Sequence, residues 1–168
     1  MINIIPNYLT QRECLSIIES LDSIVEQQWG LVSGHSYGKD SGTENRAKKV
    51  FAYKRHCGSL LDRLALDYTT AVEVLRYPEG SYSPTHVDGN GMHYDSSLVR
   101  RDVTWSKTRI VLLNNDFDGG ELFFPNLGLS YGKDFMGFCI EFPAGLERYA
   151  HGVNPVKNGT RYTLVLRD

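Results

Sequence analysis

Hydrophobic residues recur at helical spacing in two stretches of the amino-terminal part. Thr10 and Glu13 have the spacing of a capping box, which marks a helix start. The pattern beyond them predicts an amphipathic helix that runs to about Gln27 and packs on a sheet. Its apolar positions are Cys14, Ile17, Ile18, Leu21, Ile24 and Val25. A second pattern predicts a helix from Ser59 to about Thr70.

After residue 70 the pattern changes to alternating residues and short apolar runs between Gly and Pro turns, which predicts about six or seven short strands. Two polar, glycine-containing stretches, Gly30–Lys49 and Gly89–Lys107, are predicted to be long loops. Helices followed by strands predict an α+β, mainly β fold: a double-stranded β-helix, or jelly roll, with the amino-terminal helices packed on one sheet. The predicted strands are Ala71–Tyr77, Ser81–Asp88, Thr108–Asn114, Glu121–Phe124, Gly137–Phe142, Arg148–Val153 and Thr160–Leu166.

Length and charge limit the number of domains and the kinds of partner. A chain of 168 residues suits a single domain spanning 1–168. The net charge of −2 gives no reason to expect nucleic acid or a membrane as the main partner. We expect a cytoplasmic protein, because there is neither a secretory signal nor an apolar run of ~20 residues. The odd, widely spaced cysteines are interpreted as reduced thiols; they are Cys14, Cys57 and Cys139.

The candidate chemistry lies in His86 and Asp88. Residues two positions apart point to the same side of a strand, so this imidazole and carboxylate can aim at one point. His151, 63 positions after Asp88 in another predicted strand, would complete a two-histidine, one-carboxylate set, which holds ferrous iron and leaves other coordination positions open. A lone His-x-Asp is a weak signal. His93 is an alternative ligand that no predicted strand pairing supports, and His35 and His56 are interpreted as surface or capping residues.

Arg161 is a second candidate. It lies in the last predicted strand among apolar neighbours, and a guanidinium that points into a barrel must be paired, because burying a lone charge is costly. Its planar fork suits a carboxylate, which would belong to a ligand if no protein acid is available. Thr163 lies two positions on and could share that face. Alternation alone also allows Arg161 to face water.

Several stretches together resemble the iron(II)- and 2-oxoglutarate-dependent oxygenases, specifically the prolyl 4-hydroxylase-like branch. Their order and spacing are preserved over most of the chain. They are Tyr8–Cys14, Val74–Gly80, Pro84–Asp88, Arg109–Asn114, Gly119–Leu122, His151–Val156 and Gly159–Tyr162.

The resemblance implies a double-stranded β-helix in which His86, Asp88 and His151 bind Fe(II). It assigns Arg161 to the distal carboxylate of 2-oxoglutarate and gives Tyr77 a part in holding this cosubstrate; strand geometry adds Thr163. It also implies O2 as the second cosubstrate and ascorbate as an accompanying reductant. Two departures stand out: Arg161 is a position where collagen-type enzymes commonly have Lys, and the last strand ends in Leu166-Arg167-Asp168 where relatives often carry an aromatic residue.

The resemblance implies hydroxylation of an unactivated C–H bond with release of succinate and CO2. Hydroxylation is expected because Asp88 occupies the coordination position that related halogenases leave open for halide. The first hypothesis is a prolyl 4-hydroxylase-type enzyme acting on a protein or peptide. The alternatives are a hydroxylase of a free amino acid or another small molecule, and a non-catalytic binding module; a cupin would favour a His-x-His start. The two predicted loops are expected to form substrate walls, with Tyr37, Tyr94, Trp105, Arg100 and Arg101 as candidate contacts.

Overall fold

The computed structural model of the protein describes residues 1–25, 29–31, 48–51, 71–94 and 100–168. The predicted second helix, Ser59–Thr70, lies outside the described residues. So do four residues singled out in the sequence, namely His35, Tyr37, His56 and Cys57.

The first helix, α1, runs over Gln11–Leu21. The predicted capping box is confirmed: the Glu13 amide donates to Oγ1 of Thr10 at 3.2 Å, and the Thr10 amide donates to Oε2 of Glu13 at 2.8 Å. The predicted end near Gln27 is wrong, because the chain leaves the helix after Leu21. Ile24 stays buried through a turn in which its amide donates to the Leu21 carbonyl at 2.9 Å, whereas Val25 is 57% exposed.

The strands form two main antiparallel sheets and two small pairs. The large sheet has the order β1-β12-β8-β15-β4-β3-β2 and the smaller one the order β11-β10-β13-β5, while β9 pairs with β14 and β6 with β7. The bounds are β1 Asn3–Ile5, β2 Gly30–Leu31, β3 Lys48–Phe51, β4 Ala71–Tyr77, β5 Ser83–His86, β6 Asn90–Tyr94, β7 Arg100–Thr104, β8 Lys107–Leu112, β9 Asp118–Gly119, β10 Leu122–Phe124, β11 Leu129–Tyr131, β12 Cys139–Pro143, β13 His151–Val153, β14 Val156–Asn158 and β15 Arg161–Arg167.

Alternation along the strands of the large sheet builds two cores. Val111 on β8 and Leu113 directly after it point to the layer that contains α1, and Ile110 and Leu112 of β8 point toward the smaller sheet. On β15, Leu164 and Leu166 join the α1 layer. Helix α1 therefore covers one face of the large sheet, as predicted, and the second core lies between the sheets. This is the predicted jelly roll.

The prediction of two long loops is partly wrong, because both stretches contain strands. The ends of Gly30–Lys49 are the paired strands β2 and β3, which extend the large sheet beyond β4. Within Gly89–Lys107, β6 and β7 pair from Asn90↔Thr104 to Tyr94↔Arg100, and β8 begins at Lys107. Cross-strand bonds satisfy backbone groups whatever the side chains are, so polar sequences with no apolar alternation can still be strands.

The helices of the described residues include none that is long and apolar enough to cross a bilayer.

Candidate metal centre

The pairing of β5 with β13 brings the two proposed histidine ligands together. His86 and His151 are direct partners in the antiparallel register, although 65 positions separate them in the chain. Their ring centroids lie 4.5 Å apart. The prediction that Asp88 lies on the same strand as His86 is wrong, because β5 ends at His86 and Asp88 follows it in irregular backbone. The Gly145 amide holds this backbone by donating to the Asp88 carbonyl.

Asp88 nevertheless lies beside both imidazoles. Its Oδ1 is 3.6 Å from Nε2 of His86, and its Oδ2 is 3.7 Å from Nε2 of His151. One donor atom from each of the three residues lies within 4.8 Å of the other two. The three side chains thus converge on a volume that one cation could fill.

Backbone carbonyls set the tautomer of each histidine. Nδ1 of His86 donates to the Pro84 carbonyl at 2.9 Å, and Nδ1 of His151 donates to the Tyr149 carbonyl at 3.0 Å. A carbonyl only accepts, so the proton of a neutral ring is on Nδ1 and the lone pair is on Nε2, toward Asp88. This second hydrogen bond is typical of metal-binding histidines. Burial lowers the pKa of His151 to about 4, which keeps it in the neutral form that a metal requires.

Asp88 is held as a carboxylate. Burial by itself would raise its pKa, but the Arg167 guanidinium holds the pKa well below its usual range. Thr108 Oγ1 donates to Oδ2 at 2.9 Å, and Nε of Arg167 lies 3.4 Å from the same oxygen. The ionised form that binds cations therefore persists at physiological pH.

Arg161 points into the space between the sheets and is only 2% exposed. Its Nη1 donates to Oγ1 of Thr163 at 2.5 Å, and its Cζ lies 5.0 Å from the ring centroid of Tyr77, its register partner on β4. Its buried Nε has no hydrogen-bond partner, and no carboxylate of the described residues forms an ion pair with the group. A buried cation in this state is costly unless a ligand supplies the anion.

One cavity connects the two histidines of the proposed metal site with Arg161. The space between its lining atoms, counted together with the part open to solvent, is about 360 Å³. Polar and charged lining comes from both histidines, Ser83, Arg161, Thr163 and Arg167, and apolar lining from Leu75, Ile110, Leu122, Val153 and Val165, with Tyr77 between them. The structure thus places all six residues predicted for the site in or beside one cavity: His86, Asp88, His151, Arg161, Tyr77 and Thr163.

Among the other predicted substrate contacts, Trp105 is the one whose side chain lies in the described part of the structure. Trp105 is buried and is absent from the lining, so its indole does not present an outward-facing surface to a substrate. The backbone of Tyr94, Arg100 and Arg101 lies in the β6–β7 pair, as does that of the alternative ligand His93; their side chains lie outside what the structure describes.

The sequence argument missed three residues that contact the site or its neighbours. Thr108 and Arg167 approach Asp88, and Glu73 bonds Arg167 at 2.9 Å. Arg167 could have been found, because it lies six positions after Arg161 and therefore on the same face of β15. Glu73 and Thr108 could not, because they act through pairings with residues 94 and 20 positions away.

The donor set fits a divalent metal, and the cavity fits an anionic ligand. Two neutral imidazoles and one carboxylate with open positions beside them form the facial set typical of non-haem iron(II) sites. The Nε of Arg161, which has no hydrogen-bond partner, marks the place where the distal carboxylate of an acidic ligand can bind.

Close backbone packing at Gly152 lets β5 approach β13. A Cβ at this position would lie 2.6 Å from the Ser83 carbonyl oxygen and 2.7 Å from Cζ of Phe123. Gly152→Ala should therefore push β5 away, lower the free energy of unfolding by roughly 1–3 kcal/mol and weaken metal binding. Denaturant unfolding and Mn(II) titration measure the two effects.

Gly132→Ala is the matched control for this substitution, because its nearest atom would be Cγ of Glu121 at an ordinary 3.7 Å. Equal stability and equal Mn(II) affinity in the two variants would show that the β5–β13 approach does not depend on Gly152.

Solved structures with the same fold were found by comparison. A viral collagen prolyl hydroxylase from Paramecium bursaria Chlorella virus-1, in complex with 2OG, superposes with a TM-score of 0.66 and 18% identity over 99% of this chain and 94% of that one. A Pseudomonas putida prolyl-4-hydroxylase gives 0.67 and 16% over 99% and 90%. A Trichoplax adhaerens prolyl hydroxylase, in complex with a hypoxia inducible factor oxygen degradation domain peptide fragment, gives 0.66 and 18% over 99% and 82%.

No protein-family model and no curated protein sequence matches the chain. At 16–18% identity, the structural likeness is a statement about architecture. The chain has the jelly-roll fold of the prolyl hydroxylases and 2OG-Fe(II) oxygenases that it superposes on.

Proposed function

We propose that the protein is an Fe(II)- and 2-oxoglutarate-dependent dioxygenase that hydroxylates an unactivated C–H bond and releases succinate and CO2. One observation carries the proposal: the two histidines of a two-histidine, one-carboxylate set line the same cavity as a buried arginine that pairs with no carboxylate of the described residues. The two histidines and Asp88 suit iron, and Arg161 suits the distal carboxylate of 2-oxoglutarate. Because the histidines and Arg161 share one cavity, a reaction that needs both iron and 2-oxoglutarate can take place there.

The protein residues have distinct roles in this proposal. His86, Asp88 and His151 would hold the iron, which when bound supplies the oxygen activation and the redox chemistry. Arg161 binds the far carboxylate of the diacid through its fork, and Thr163 and Tyr77 fix the guanidinium from two sides. The apolar lining excludes water around that ion pair, which strengthens it. Selection for a five-carbon diacid over a shorter acid follows from this distal contact.

A prolyl residue of a protein or peptide is the substrate class we propose. Two features support it: the neighbours in fold are prolyl hydroxylases, and one of them was solved with a peptide bound. A hydroxylase of a free amino acid or another small molecule uses the same metal and cosubstrate residues and is the alternative.

A reducing, cytoplasmic location suits Cys14 and Cys139, which are free thiols whose pKa is raised by burial to about 11 and about 12.

Incubation with Fe(II), 2-oxoglutarate, O2 and ascorbate tests the activity, with and without a library of proline-containing peptides. We expect succinate release, stimulated by some peptides, and a mass gain of one oxygen atom on proline in those peptides. Succinate without any modified peptide would favour the small-molecule alternative. Failure to release succinate from protein shown to contain iron would contradict the proposal and favour a non-catalytic binding module.

Gly120 provides a test of the cosubstrate end of the cavity. A Cβ there would lie 3.0 Å from Cδ of Arg161 and 3.1 Å from Cγ2 of Val156, so Gly120→Ala should displace the guanidinium. Loss of one charge-assisted hydrogen bond, about 1.5–3 kcal/mol, would weaken 2-oxoglutarate binding roughly 10- to 100-fold. Calorimetric titration of the Mn(II)-loaded protein measures this.

Gly128→Ala is the control, because Gly128 has nearly the same φ, +64° against +63° for Gly120, with no atom within 4 Å of the added Cβ. Both variants carry the backbone strain of a left-handed residue, about 1–2 kcal/mol. If both lose the same cosubstrate affinity, contact with Arg161 is not the cause.

A further inference from the structure

Arg167 is a second charged residue that β15 places in the cavity. It shares a strand face with Arg161, Thr163 and Val165, and all four line the cavity. Its Nη1 bonds Oε2 of Glu73 at 2.9 Å, and its Nε lies 3.4 Å from Oδ2 of Asp88. One guanidinium therefore joins a carboxylate of the sheet to a carboxylate of the metal centre.

This arrangement goes beyond neutralising a buried acid. Glu73 is 8% exposed, and a buried carboxylate requires a partner, which Arg167 supplies with one nitrogen. The planar fork aims a different nitrogen at Asp88 in a fixed direction. A lysine could pair with Glu73 as a point charge, but it would lack the Nε that approaches Asp88.

The contacts on Asp88 are asymmetric. Oδ2 accepts the hydrogen bond from Thr108 at 2.9 Å and is also the oxygen that Arg167 approaches. Oδ1 is the oxygen nearer to His86, at 3.6 Å from Nε2. Each oxygen faces one imidazole, since Oδ2 lies 3.7 Å from Nε2 of His151, but only Oδ2 is also approached by donors from β8 and β15.

We propose that Arg167, paired with Glu73, is a positioning residue that keeps Oδ2 of Asp88 engaged, so that Asp88 binds the metal through Oδ1 alone. A carboxylate that binds through one oxygen occupies one coordination position, which leaves an additional position for cosubstrate or O2. This inference rests on the metal site of the proposed function.

Mn(II)-loaded protein allows a direct test, because water-proton relaxation counts the exchangeable waters on the bound ion. Removing Arg167 alone would break a buried ion pair with Glu73, which is strongly destabilising. The test variant is therefore Glu73→Gln with Arg167→Met. We expect it to bind Mn(II) with one water fewer than the wild type, because Oδ2, left with the Thr108 bond alone, turns to the ion and displaces a water. If this variant does not fold, Glu73→Gln with Arg167→Gln, whose amides can bond each other, replaces it.

Two variants separate positioning from a general structural effect. Arg109→Met removes an arginine of β8 in the same sheet that pairs with Asp168 and whose side chain has a similar exposure, 14% against 16% for Arg167. It should keep the wild-type water count. Glu73→Gln alone keeps a side-chain oxygen that can accept from Nη1 of Arg167, so Arg167 stays beside Asp88 and the water count should also stay at the wild-type value.

An unchanged water count in the double variant, or the same loss in Arg109→Met or in Glu73→Gln alone, would overturn the inference. Failure of the wild type to bind Mn(II) would instead contradict the proposed metal site, so the two failures are distinguishable.

Discussion

His86→Ala is expected to lower the affinity for Fe(II) or Mn(II) by more than about 100-fold and to abolish succinate release from 2-oxoglutarate. Removing an outer-shell partner of a metal ligand typically costs about 10- to 100-fold, and removing a ligand itself should cost more. His86 is preferable to His151 for this test because its side chain is 12% exposed, so truncation disturbs the core less. Metal titration by calorimetry and succinate detection measure the two losses.

The control is Thr85→Ala, one position earlier on β5. Successive residues point to opposite faces of a strand, and Thr85 is exposed. It should retain wild-type metal affinity and turnover. A His86→Ala protein that is folded and turns over at the wild-type rate would show that the iron is not held where the three donors converge.

Arg161→Met is expected to weaken 2-oxoglutarate binding by roughly 100- to 4000-fold, from the ~3–5 kcal/mol lost when one partner of a buried ion pair is removed. The structure adds an opposite effect on the ligand-free protein. Because Arg161 is a buried cation without a carboxylate partner among the described residues, replacing it with an apolar side chain should raise the free energy of unfolding when 2-oxoglutarate is absent.

Three comparisons make this prediction specific. The wild type should be stabilised against heat by 2-oxoglutarate, and Arg161→Met should not. Preference for 2-oxoglutarate over pyruvate should disappear in the variant, because pyruvate has no distal carboxylate. Arg161→Lys keeps the charge but replaces a fork by a point donor, so its affinity should fall between the two. Unchanged cosubstrate affinity in Arg161→Met would remove Arg161 from the site.

Local signals in the sequence were sufficient for much of the fold. Thr10 and Glu13 are three positions apart, and their reciprocal bonds start α1 as predicted. Strand β4 was predicted with its observed bounds, Ala71–Tyr77, because its residues alternate in character. The end of α1 was missed because Ile24 remains apolar and buried although it lies in a turn, so the apolar pattern continues past the helix.

Non-local features were harder to predict. The sequence proposed that His151 meets His86, but the direct register pair depends on the β5–β13 contact, which sequence spacing does not encode. The strands β6 and β7 carry polar sequences, so their pairing left no periodic signal. Arg167 was passed over as part of a departure from the family pattern, because its partners Asp88 and Glu73 are distant in the chain.

Anomalous diffraction from crystals grown with Mn(II) and 2-oxoglutarate would test the central claim most directly. We expect one manganese peak within about 2.0–2.3 Å of Nε2 of His86, a carboxylate oxygen of Asp88 and Nε2 of His151. The far carboxylate of the acid should lie on the guanidinium of Arg161. A manganese ion bound elsewhere, or bound without His151, would contradict the account.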